Sequence, residues 1–296
     1  METPILFIIF NRPDTTKQTF EAIKKIKPTK LYVAADGPRE SVFTDKARCE
    51  ETRKIIEHVD WPCEVKTLFQ EKNLGCKWGP ITAIDWLFQN EEKGIILEDD
   101  CLPGESFFNF CTNLLDYYKD NEEIMHISGN NYQDGIRRGE GSYYFSKYTF
   151  SWGWATWRRA WSKFHPALEN FSLFDKNNLV KNVPVSKDAR NFWIKNFRYT
   201  MKRNDSWDSL WMYTVWFNNG MSIIPNANLV KNIGFGEDAT HTKEKTVESD
   251  INNLEKIRHP LSVILDEEAD EYAYRKLFHR SLFKRVIDKI KNIIKI

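Results

Sequence analysis

Short apolar runs that alternate with helical segments are the feature that most constrains the fold of this chain. Each run ends in a polar turn before a segment with helical spacing begins. Continuous apolar runs of this length are typical of strands buried on both faces of a sheet, and strand–helix alternation favours parallel pairing with right-handed crossovers. The predicted strands are 5–10, 30–38, 64–70 and 94–100, and the predicted helices are 12–26, 44–59 and 80–90. The sequence therefore predicts an α/β fold with a mixed, mainly parallel, Rossmann-like sheet flanked by helices.

Polar residues stand at the end of each strand or open the turn that follows it. These residues are Asn11–Arg12, Asp36–Gly37, Asn73–Gly75 and Glu98–Asp100. Parallel strands bring their carboxyl ends to one edge of the sheet, and ligands of such sheets bind in the crevice beyond that edge. We therefore expect these four strand ends to form a single binding crevice.

The carboxylates Glu98, Asp99 and Asp100 follow the apolar run of the fourth strand directly. Adjacent carboxylates repel one another and are costly to bury, so a solvated acidic turn is one interpretation. A cation is the other, because Mn²⁺ and Mg²⁺ prefer oxygen ligands and often take only one or two protein carboxylates besides substrate phosphates. If the strand continues through this triplet, Glu98 and Asp100 point to one side and Asp99 to the other.

The second half of the chain is less regular and richer in aromatic residues. Aromatic residues make up 14% of the chain, including 11 Trp, which indicates a surface that recognises flat or ring-shaped ligands. A large core that absorbs these side chains is the alternative. The pattern predicts a strand at 124–131, an aromatic and glycine-rich segment at 141–164, helices within 182–220 that break near 204–206, a strand and its exit at 221–234, and a polar loop at 236–260. No internal repeat or low-complexity tract is evident.

Charge and cysteine content limit the functional classes. The 296 residues include 43 basic and 42 acidic side chains, for a net charge of +1, so no nucleic-acid partner is indicated. The five cysteines form no CxxC pattern, which favours a reducing compartment. The first apolar run ends at Asn11 and lacks a basic flank, so it does not read as a signal peptide. We expect a cytoplasmic protein.

Four motifs, and the order in which they follow one another, resemble the nucleotide-sugar half of a GT-A glycosyltransferase. The resemblance is closest to the N-acetylglucosaminyltransferase I family and its bacterial relatives. The motifs are ILFIIFNRPDTT, AADGP, NLG and GIILEDDCLPGESFFNF, and the resemblance covers roughly residues 3–240. It implies a nucleotide-sugar half at 1–125, an acceptor and catalytic-base half at 126–260, and a C-terminal helical tail at 261–296.

The resemblance also implies roles for residues on the donor side. Asp100 would bind the Mn²⁺ or Mg²⁺ that bridges the donor diphosphate, while Glu98 and Asp99 would contact the donor sugar and ribose. Arg12 would reach a phosphate or the ribose, and Asp36 would accept a hydrogen bond from the base, which is uracil in that family. The family carries a His in the segment that matches 73–78, next to the base.

This chain departs from the family pattern in that segment. It has Cys76 and Lys77 there, with Asn73 at the preceding turn, so the identity of the base is open. Lys77 would meet a phosphate instead.

An inverting transfer needs a base that takes the proton of the acceptor hydroxyl as it attacks the anomeric carbon. The segment NDSWDSLW offers Asp205 and Asp208, and the resemblance selects Asp208, at the start of a helix whose N-terminus would keep it ionised. A plain helix cap is the alternative role for Asp208. Trp207 would then pack on the donor sugar.

Aromatic residues of the segment SWGWATWRR and a late histidine complete the predicted site. Trp152 and Trp154 are the candidates for ligand contact from a loop that closes over the donor, whereas Trp157 and Trp161 are predicted to share a core-facing helix surface. By the resemblance, His241 would complete the metal shell or touch a phosphate. A surface loop histidine is the alternative.

The C-terminal segment 277–296 reads as a basic amphipathic helix. Phe278, Leu282 and Val286 fall on one face, and six Lys and Arg residues occupy most of the remainder. Such a helix is typical of an interfacial membrane element, which would bring the protein to lipid-linked acceptors on the inner face of the membrane. Packing of the apolar stripe on the domain or on a second subunit is the alternative.

The function that this sequence favours is a metal-dependent inverting glycosyltransferase. It would move a hexose or N-acetylhexosamine from a nucleotide diphosphate sugar, by resemblance a UDP-sugar, to a glycan or lipid-linked acceptor in bacterial surface polysaccharide synthesis. A metal-dependent phosphohydrolase would explain the carboxylates but not the aromatic half. A non-catalytic sugar-binding protein would explain the aromatic residues but not the aligned strand ends.

Overall fold

The computed structural model describes residues 1–166, 183–203, 206–234, 250–254 and 256–279. The strands of this part of the chain are β1 (Ile5–Ile9), β2 (Lys30–Ala35), β3 (Glu64–Phe69), β4 (Lys93–Glu98), β5 (Cys101–Pro103), β6 (Ile124–Ser128), β7 (Tyr143–Ser146), β8 (Trp154–Trp157), β9 (Met221–Pro225) and β10 (Val230–Asn232). The helices are α1 (Pro13–Ile26), α2 (Asp45–Lys54), α3 (Gly75–Asn90), α4 (Glu105–Tyr117), α5 (Arg158–Trp161), α6 (Lys187–Arg203), α7 (Asp208–Phe217) and α8 (Glu267–Leu277), with a 3₁₀ turn at Ile55–His58.

Eight of these strands form one sheet in the order β3-β2-β1-β4-β8-β6-β9-β7. The first four are parallel to one another, β8 runs antiparallel to both of its neighbours, and β7 is antiparallel to β9. Since β9 is parallel to β6, six of the eight strands run in one direction. The predicted fold class, a mixed and mainly parallel sheet flanked by helices, is confirmed. A second sheet pairs β10 with β5 and lies next to the acidic turn.

Hydrophobic cores lie on both faces of the large sheet, and the alternation of β1 shows why. Ile5 and Phe7 belong to the core that also holds α1 and α4, whereas Leu6 belongs to the core on the other face with α3. All three side chains are fully buried. Strands buried on both faces read as continuous apolar runs, which explains why the first four strands were recognisable in the sequence.

The tryptophans lie mainly inside the protein. Eight of the 11 are buried, and the largest aromatic group packs between the sheet and helices α6 and α7. Trp78 is an exception, because 43% of its surface is exposed. Most of these tryptophans therefore do not form the predicted ligand-binding surface. Those on the antiparallel strand β8 and on helices α6 and α7 pack in a core instead.

Two local boundaries differ from the predictions. Helix α3 begins at Gly75, before the predicted start at Pro80, so this proline lies inside the first turns of the helix. Strand β4 ends at Glu98, and Asp99 and Asp100 form a turn rather than a continuation of the strand. The alternation predicted for the acidic triplet therefore does not extend beyond Glu98. The predicted break between the second-half helices is confirmed, since α6 ends at Arg203 and α7 begins at Asp208.

Candidate active site

A cavity of about 790 Å³ opens at the carboxyl ends of β1, β2 and β4. Residues of α6, of the start of α7 and of the exit of β10 also line it. The predicted site residues that line it are Arg12, Asp36, Asn73, Glu98, Asp99, Asp100, Trp152, Trp207 and Asp208. The structure thus brings together residues from both halves of the sequence, as the strand-end argument predicted for the first half.

Arg12 holds the acidic turn in place at the floor of the cavity. It donates a hydrogen bond to Asp100 Oδ2 at 3.0 Å and a second one to Asp99 Oδ1. Asp99 is 2% exposed and also accepts a hydrogen bond from the backbone N–H of Phe10 at 3.2 Å. Asp99 is therefore a structural partner of Arg12 and the end of β1, which differs from the ribose or sugar contact predicted for it.

Burial and mutual repulsion shift the pKa values in this turn. Burial, followed by the charges of Asp100 and Asp99, raises the pKa of Glu98 to about 8. Burial likewise raises the pKa of Asp99 to about 6, although Arg12 opposes this. Burial would lower the pKa of Arg12, but the two aspartates outweigh it and raise that pKa. The turn therefore carries more negative charge than its single arginine balances.

The residues present fit a divalent cation. Two aspartates against one guanidinium leave one negative charge unbalanced, and the raised pKa of Glu98 means that this side chain is mostly protonated at neutral pH until a cation binds beside it. Glu98 and Asp100 both offer hard oxygen ligands to the cavity. Within the described ranges, no group of three or more His, Cys, Asp or Glu side chains is arranged to hold a metal ion. One or two carboxylates are nevertheless the usual protein share where substrate phosphates complete the shell, so Asp100 and Glu98 are the residues that would hold Mn²⁺ or Mg²⁺.

The exit of β10 lies directly on the acidic turn. The backbone N–H of Ile233 donates to the carbonyl of Asp100 at 2.8 Å, and Gly234 follows. A Cβ atom on Gly234 would lie 2.2 Å from Asp100 Oδ2 and 2.8 Å from an Arg12 guanidinium nitrogen. From the sequence, only the exit of a strand was predicted at Gly234. The structure shows that glycine is needed here because a side chain would displace the groups at the cavity floor.

Replacement of Gly234 by alanine is expected to weaken Mn²⁺-dependent binding of nucleoside diphosphate by about tenfold, equivalent to ~1.4 kcal/mol. The added methyl group must push Asp100 or Arg12 aside, since the distances above are far below a normal carbon contact. Calorimetric titration with and without Mn²⁺ measures the effect. Gly79→Ala is the matched control, because its Cβ would meet Asp36 at an ordinary 3.5 Å in the same cavity. Equal behaviour of the two variants would contradict the prediction.

Asp36 is engaged in the turn that leads into α3. Its carboxylate accepts hydrogen bonds from the backbone N–H groups of Gly37 (2.8 Å), Leu74 (2.8 Å) and Gly75 (3.0 Å), and from Asn73 Nδ2 (2.9 Å). Burial raises the pKa of Asp36, although the three backbone donors oppose it. A carboxylate has about four acceptor positions, so these four hydrogen bonds occupy all of them. This geometry weighs against the predicted hydrogen bond from Asp36 to the base and gives Asp36 and Asn73 a structural role in the turn.

Lys77 does not lie where the prediction placed it. The residues of α3 that face the cavity include Gly75, Gly79 and Ala83, which are four apart on one side of the helix. Lys77 lies on another side, is 5% exposed, and donates to the carbonyl of Pro166 at 3.0 Å. Burial lowers the pKa of Lys77. The predicted phosphate contact is wrong for this arrangement, because the early start of α3 turns Lys77 away from the cavity.

Asp208 is the first residue of α7, and its side chain is exposed to the cavity. Its Oδ1 accepts hydrogen bonds from Ser206 Oγ and from the backbone N–H of Ser209, the latter at 2.7 Å. The negative charge of Asp208 also contributes to the raised pKa of Glu98, which places the two carboxylates within electrostatic range. The cavity is thus lined by the acidic turn and by a further carboxylate from the second half of the chain.

Tryptophans from the second half of the chain also lie at this site, but only some of them reach the cavity. Trp152 and Trp207 line it, although Trp207 is just 5% exposed. Trp154 is fully buried and stacks between Trp207 (5.5 Å between ring centroids) and His126 (5.0 Å). The predicted ligand contact of Trp154 is therefore wrong: it lies on β8, where it stabilises Trp207 from behind.

Trp157 and Trp161 are core residues, as predicted, but they do not share a helix face. Trp157 ends β8 and donates to the carbonyl of Leu115 on α4 at 2.9 Å. Trp161 lies on α5 and donates to Asp85 on α3 at 2.6 Å. The two therefore pack on opposite faces of the sheet, because the strand extends through Trp157.

Three predicted elements fall outside the described residues. His241 and Asp205 are among them, and so is the tail from residue 280 onward. The start of the tail is described, and there Phe278 packs on the core aromatics Tyr148 and Trp193, with ring centroids 5.8 and 4.8 Å apart. None of the helices in the described ranges has the length and apolar character that are needed to cross a membrane.

The structure adds cavity residues that the sequence analysis did not select. They include Arg39, Asn196, Tyr199, Thr200, Arg203 and Asn232. Four of them recur at helical spacing on α6, a signal that was present in the sequence but indistinguishable from an ordinary exposed helix face.

No family model matches this sequence, and no curated protein matches it. Solved structures resemble it at low identity and with TM-scores below 0.5. Mannosyltransferase PcManGT from Pyrobaculum calidifontis, in complex with GDP-Man and Mn²⁺, is 10% identical over 55% of this chain and 47% of its own, with a TM-score of 0.36. TarS 1-349 of S. aureus is 11% identical over 78% of this chain and 60% of its own, with a TM-score of 0.45.

Galactosyltransferase LgtC, in complex with donor and acceptor sugar analogs, is 10% identical over 73% of this chain and 70% of its own, with a TM-score of 0.37. The chain spans less than two thirds of the length of the first two of these proteins. At these identities, the three likenesses concern the fold alone.

Proposed function

We propose that this protein is a GT-A glycosyltransferase that moves a sugar from a nucleoside diphosphate donor to an acceptor hydroxyl with inversion. One observation carries the proposal: the acidic turn and Asp208, from distant parts of the chain, line the same cavity. An inverting displacement needs charge stabilisation at the leaving group and a base at the attacking hydroxyl, on opposite sides of the sugar. The cavity supplies both.

In this proposal, the residues that line the cavity have the following roles. Asp100 and Glu98 hold a divalent cation at the floor, and Arg12 fixes the Asp100 carboxylate through its hydrogen bond. The cation, when bound, supplies Lewis-acid stabilisation of the departing diphosphate. Asp208 Oδ2 takes the acceptor proton, since Oδ1 is engaged by Ser206 and Ser209. Trp152 and Trp207 pack against the donor sugar and exclude water.

The donor and its cellular setting are further parts of the proposal. A UDP-sugar that carries a hexose or N-acetylhexosamine, and a glycan or lipid-linked acceptor of bacterial surface polysaccharide, follow from the sequence resemblance. A cytoplasmic location also follows, with peripheral contact to the inner face of the membrane.

The experiment combines a binding screen with product analysis. Thermal stabilisation is measured for UDP-, GDP- and other nucleotide sugars with and without Mn²⁺, and the best donor is then incubated with the protein in water. A glycosyltransferase cleaves the bond between sugar and diphosphate, so the released nucleotide is the diphosphate even when water is the acceptor. A phosphohydrolase would release a nucleoside monophosphate and a sugar phosphate, and a sugar-binding protein would bind free glycans without a nucleotide response.

Deletion of residues 280–296 is expected to release the protein from membrane fractions while nucleotide binding is retained. The cut is placed after Phe278 because this side chain packs in the core against α6 and the Tyr148 segment. Flotation with vesicles that contain anionic lipid measures the association. Replacing the basic residues of the tail while keeping its length is the control for charge. Unchanged flotation of the truncated protein would exclude the tail as a membrane element.

A further inference from the structure

One face of α6 presents a set of side chains to the cavity that the mechanism above does not use. The set, called the α6 stripe, comprises Asn196, Tyr199, Thr200 and Arg203. Their spacing of three, four and seven residues places them on a single side of the helix. The stripe contains an aromatic ring, an amide, a hydroxyl and a cation but no carboxylate, so it differs in chemistry from the acidic floor.

Tyr199 offers a fixed aromatic surface. Its side chain is 56% exposed although it lies on the cavity wall. Its hydroxyl accepts a hydrogen bond from Arg203 at 2.7 Å, and the guanidinium lies 5.4 Å from the ring centroid. A ring that is held at both its edge and its face loses little further freedom when a ligand packs on it. Such a surface suits the C–H face of a pyranose ring.

Asn196 adds a polar group that lacks a partner among the described residues. Its Oδ1 is shielded from solvent and accepts no hydrogen bond there. A shielded acceptor without a donor is unfavourable, and a ligand hydroxyl in the cavity would satisfy it. Thr200, which is 5% exposed, places a second hydroxyl-bearing side chain next to it.

The place of the stripe in the cavity identifies its ligand. The proposed function assigns the nucleotide and the diphosphate to the strand ends and the acidic turn, which leaves the α6 stripe without an assigned ligand. Helix α6 ends at Arg203, and the chain continues directly to Trp207 and Asp208, so the stripe and the proposed base share one wall. The acceptor hydroxyl must reach Asp208 from this wall.

We propose that the α6 stripe is the acceptor-binding wall of the enzyme and that the acceptor is a carbohydrate. A pyranose ring of the acceptor packs on Tyr199, one of its hydroxyl groups donates to Asn196 Oδ1, and another hydroxyl is directed to Asp208. This inference rests on the proposed function, because it assigns the substrate class of the same site.

The test uses saturation-transfer NMR of a panel of free mono- and disaccharides. The protein is the full chain loaded with Mn²⁺ and the nucleoside diphosphate that stabilises it most. At least one saccharide of the panel is expected to bind the wild-type protein, and Tyr199→Ala and Asn196→Ala each to bind it about tenfold more weakly. Tyr199→Phe keeps the ring and is expected to retain most of the binding. The matched controls are Lys195→Ala and Lys202→Ala, which alter exposed side chains of α6 that do not line the cavity.

Each outcome decides the matter. The inference is supported if nucleotide affinity stays unchanged in all variants and saccharide binding falls only in Tyr199→Ala and Asn196→Ala. Saccharide binding that is unchanged in Tyr199→Ala and Asn196→Ala, or absent in the wild-type protein, overturns it. Weaker nucleotide binding in these variants also overturns it, because the stripe would then belong to the donor. If no nucleoside diphosphate binds the wild-type protein, the proposed function fails, and the saccharide measurements are made on the protein alone with the same criteria.

Discussion

Asp208→Asn is expected to lower the rate of sugar transfer by about 10³-fold while donor affinity stays within about twofold of wild type. The amide has the size of the carboxylate and can still accept the hydrogen bond from Ser209 N, so α7 begins as before. It cannot take a proton from the acceptor hydroxyl. The loss of a negative charge at a helix N-terminus costs only about 0.3–1 kcal/mol of stability. Transfer is measured as nucleotide release with saturating acceptor, and donor affinity by calorimetry with Mn²⁺.

The matched control for Asp208 is Asp188→Asn. Asp188 also lies in the first turn of a helix, at the start of α6, but it is exposed and does not line the cavity. This variant loses the same helix–charge interaction, so it reports how much of any change comes from stability alone. A transfer rate in Asp208→Asn within tenfold of the control would remove Asp208 from the mechanism. It would leave Asp208 as a helix-capping residue, the alternative already recognised in the sequence.

The first four strands and their crevice could be predicted because the information is local. A run such as ILFIIF is apolar at every position, since both faces of a central parallel strand are covered, and the polar residue that ends it marks the edge. The direction of the strands then follows from chain connectivity. Arg12 and Asp100 could thus be placed at one edge without any tertiary information.

The positions of β8 and Trp154 could not be predicted in the same way. Strand β8 has only four residues, and it pairs antiparallel between β4 and β6, which depends on partners far away in the chain. Its tryptophans look in sequence like a flexible aromatic loop. Only the sheet order shows that Trp154 faces a core, whereas Trp152, just before the strand, lines the cavity.

The roles of individual polar side chains also could not be predicted from the sequence where long-range hydrogen bonds determine those roles. Asp36 was expected to face a base, but the segment that leads into α3 supplies it with three donors and Gly37 with a fourth. Lys77 was expected to face a phosphate, but it donates a hydrogen bond to the carbonyl of Pro166, which is remote in sequence. In both cases the residue type fits either role, and the choice depends on where another segment lies.

Asp100→Ala and Asp99→Ala are expected to have opposite effects although the residues are adjacent. Asp100 lines the cavity and keeps 15% of its side-chain surface exposed. Its removal relieves repulsion within the acidic turn, and Arg12 keeps Asp99 as a partner. The nucleotide-free protein should therefore be about as stable as wild type. Binding of nucleotide in the presence of Mn²⁺ should weaken at least about 100-fold, or ~2.7 kcal/mol, and become insensitive to the metal.

Asp99 is buried, and its carboxylate satisfies both Arg12 and the backbone N–H of Phe10. Its removal leaves a buried donor and a partly buried guanidinium without that partner, which costs about 1–3 kcal/mol of folding stability. The two variants are compared by thermal unfolding without ligand and by calorimetric titration of nucleoside diphosphate with and without Mn²⁺. We expect Asp99→Ala to be unstable and Asp100→Ala to be stable but insensitive to Mn²⁺. This result would show that Asp99 is a structural carboxylate and that Asp100 binds the cation. A Mn²⁺ response retained by Asp100→Ala would show that the cation is held elsewhere, and the proposed division of roles would fail.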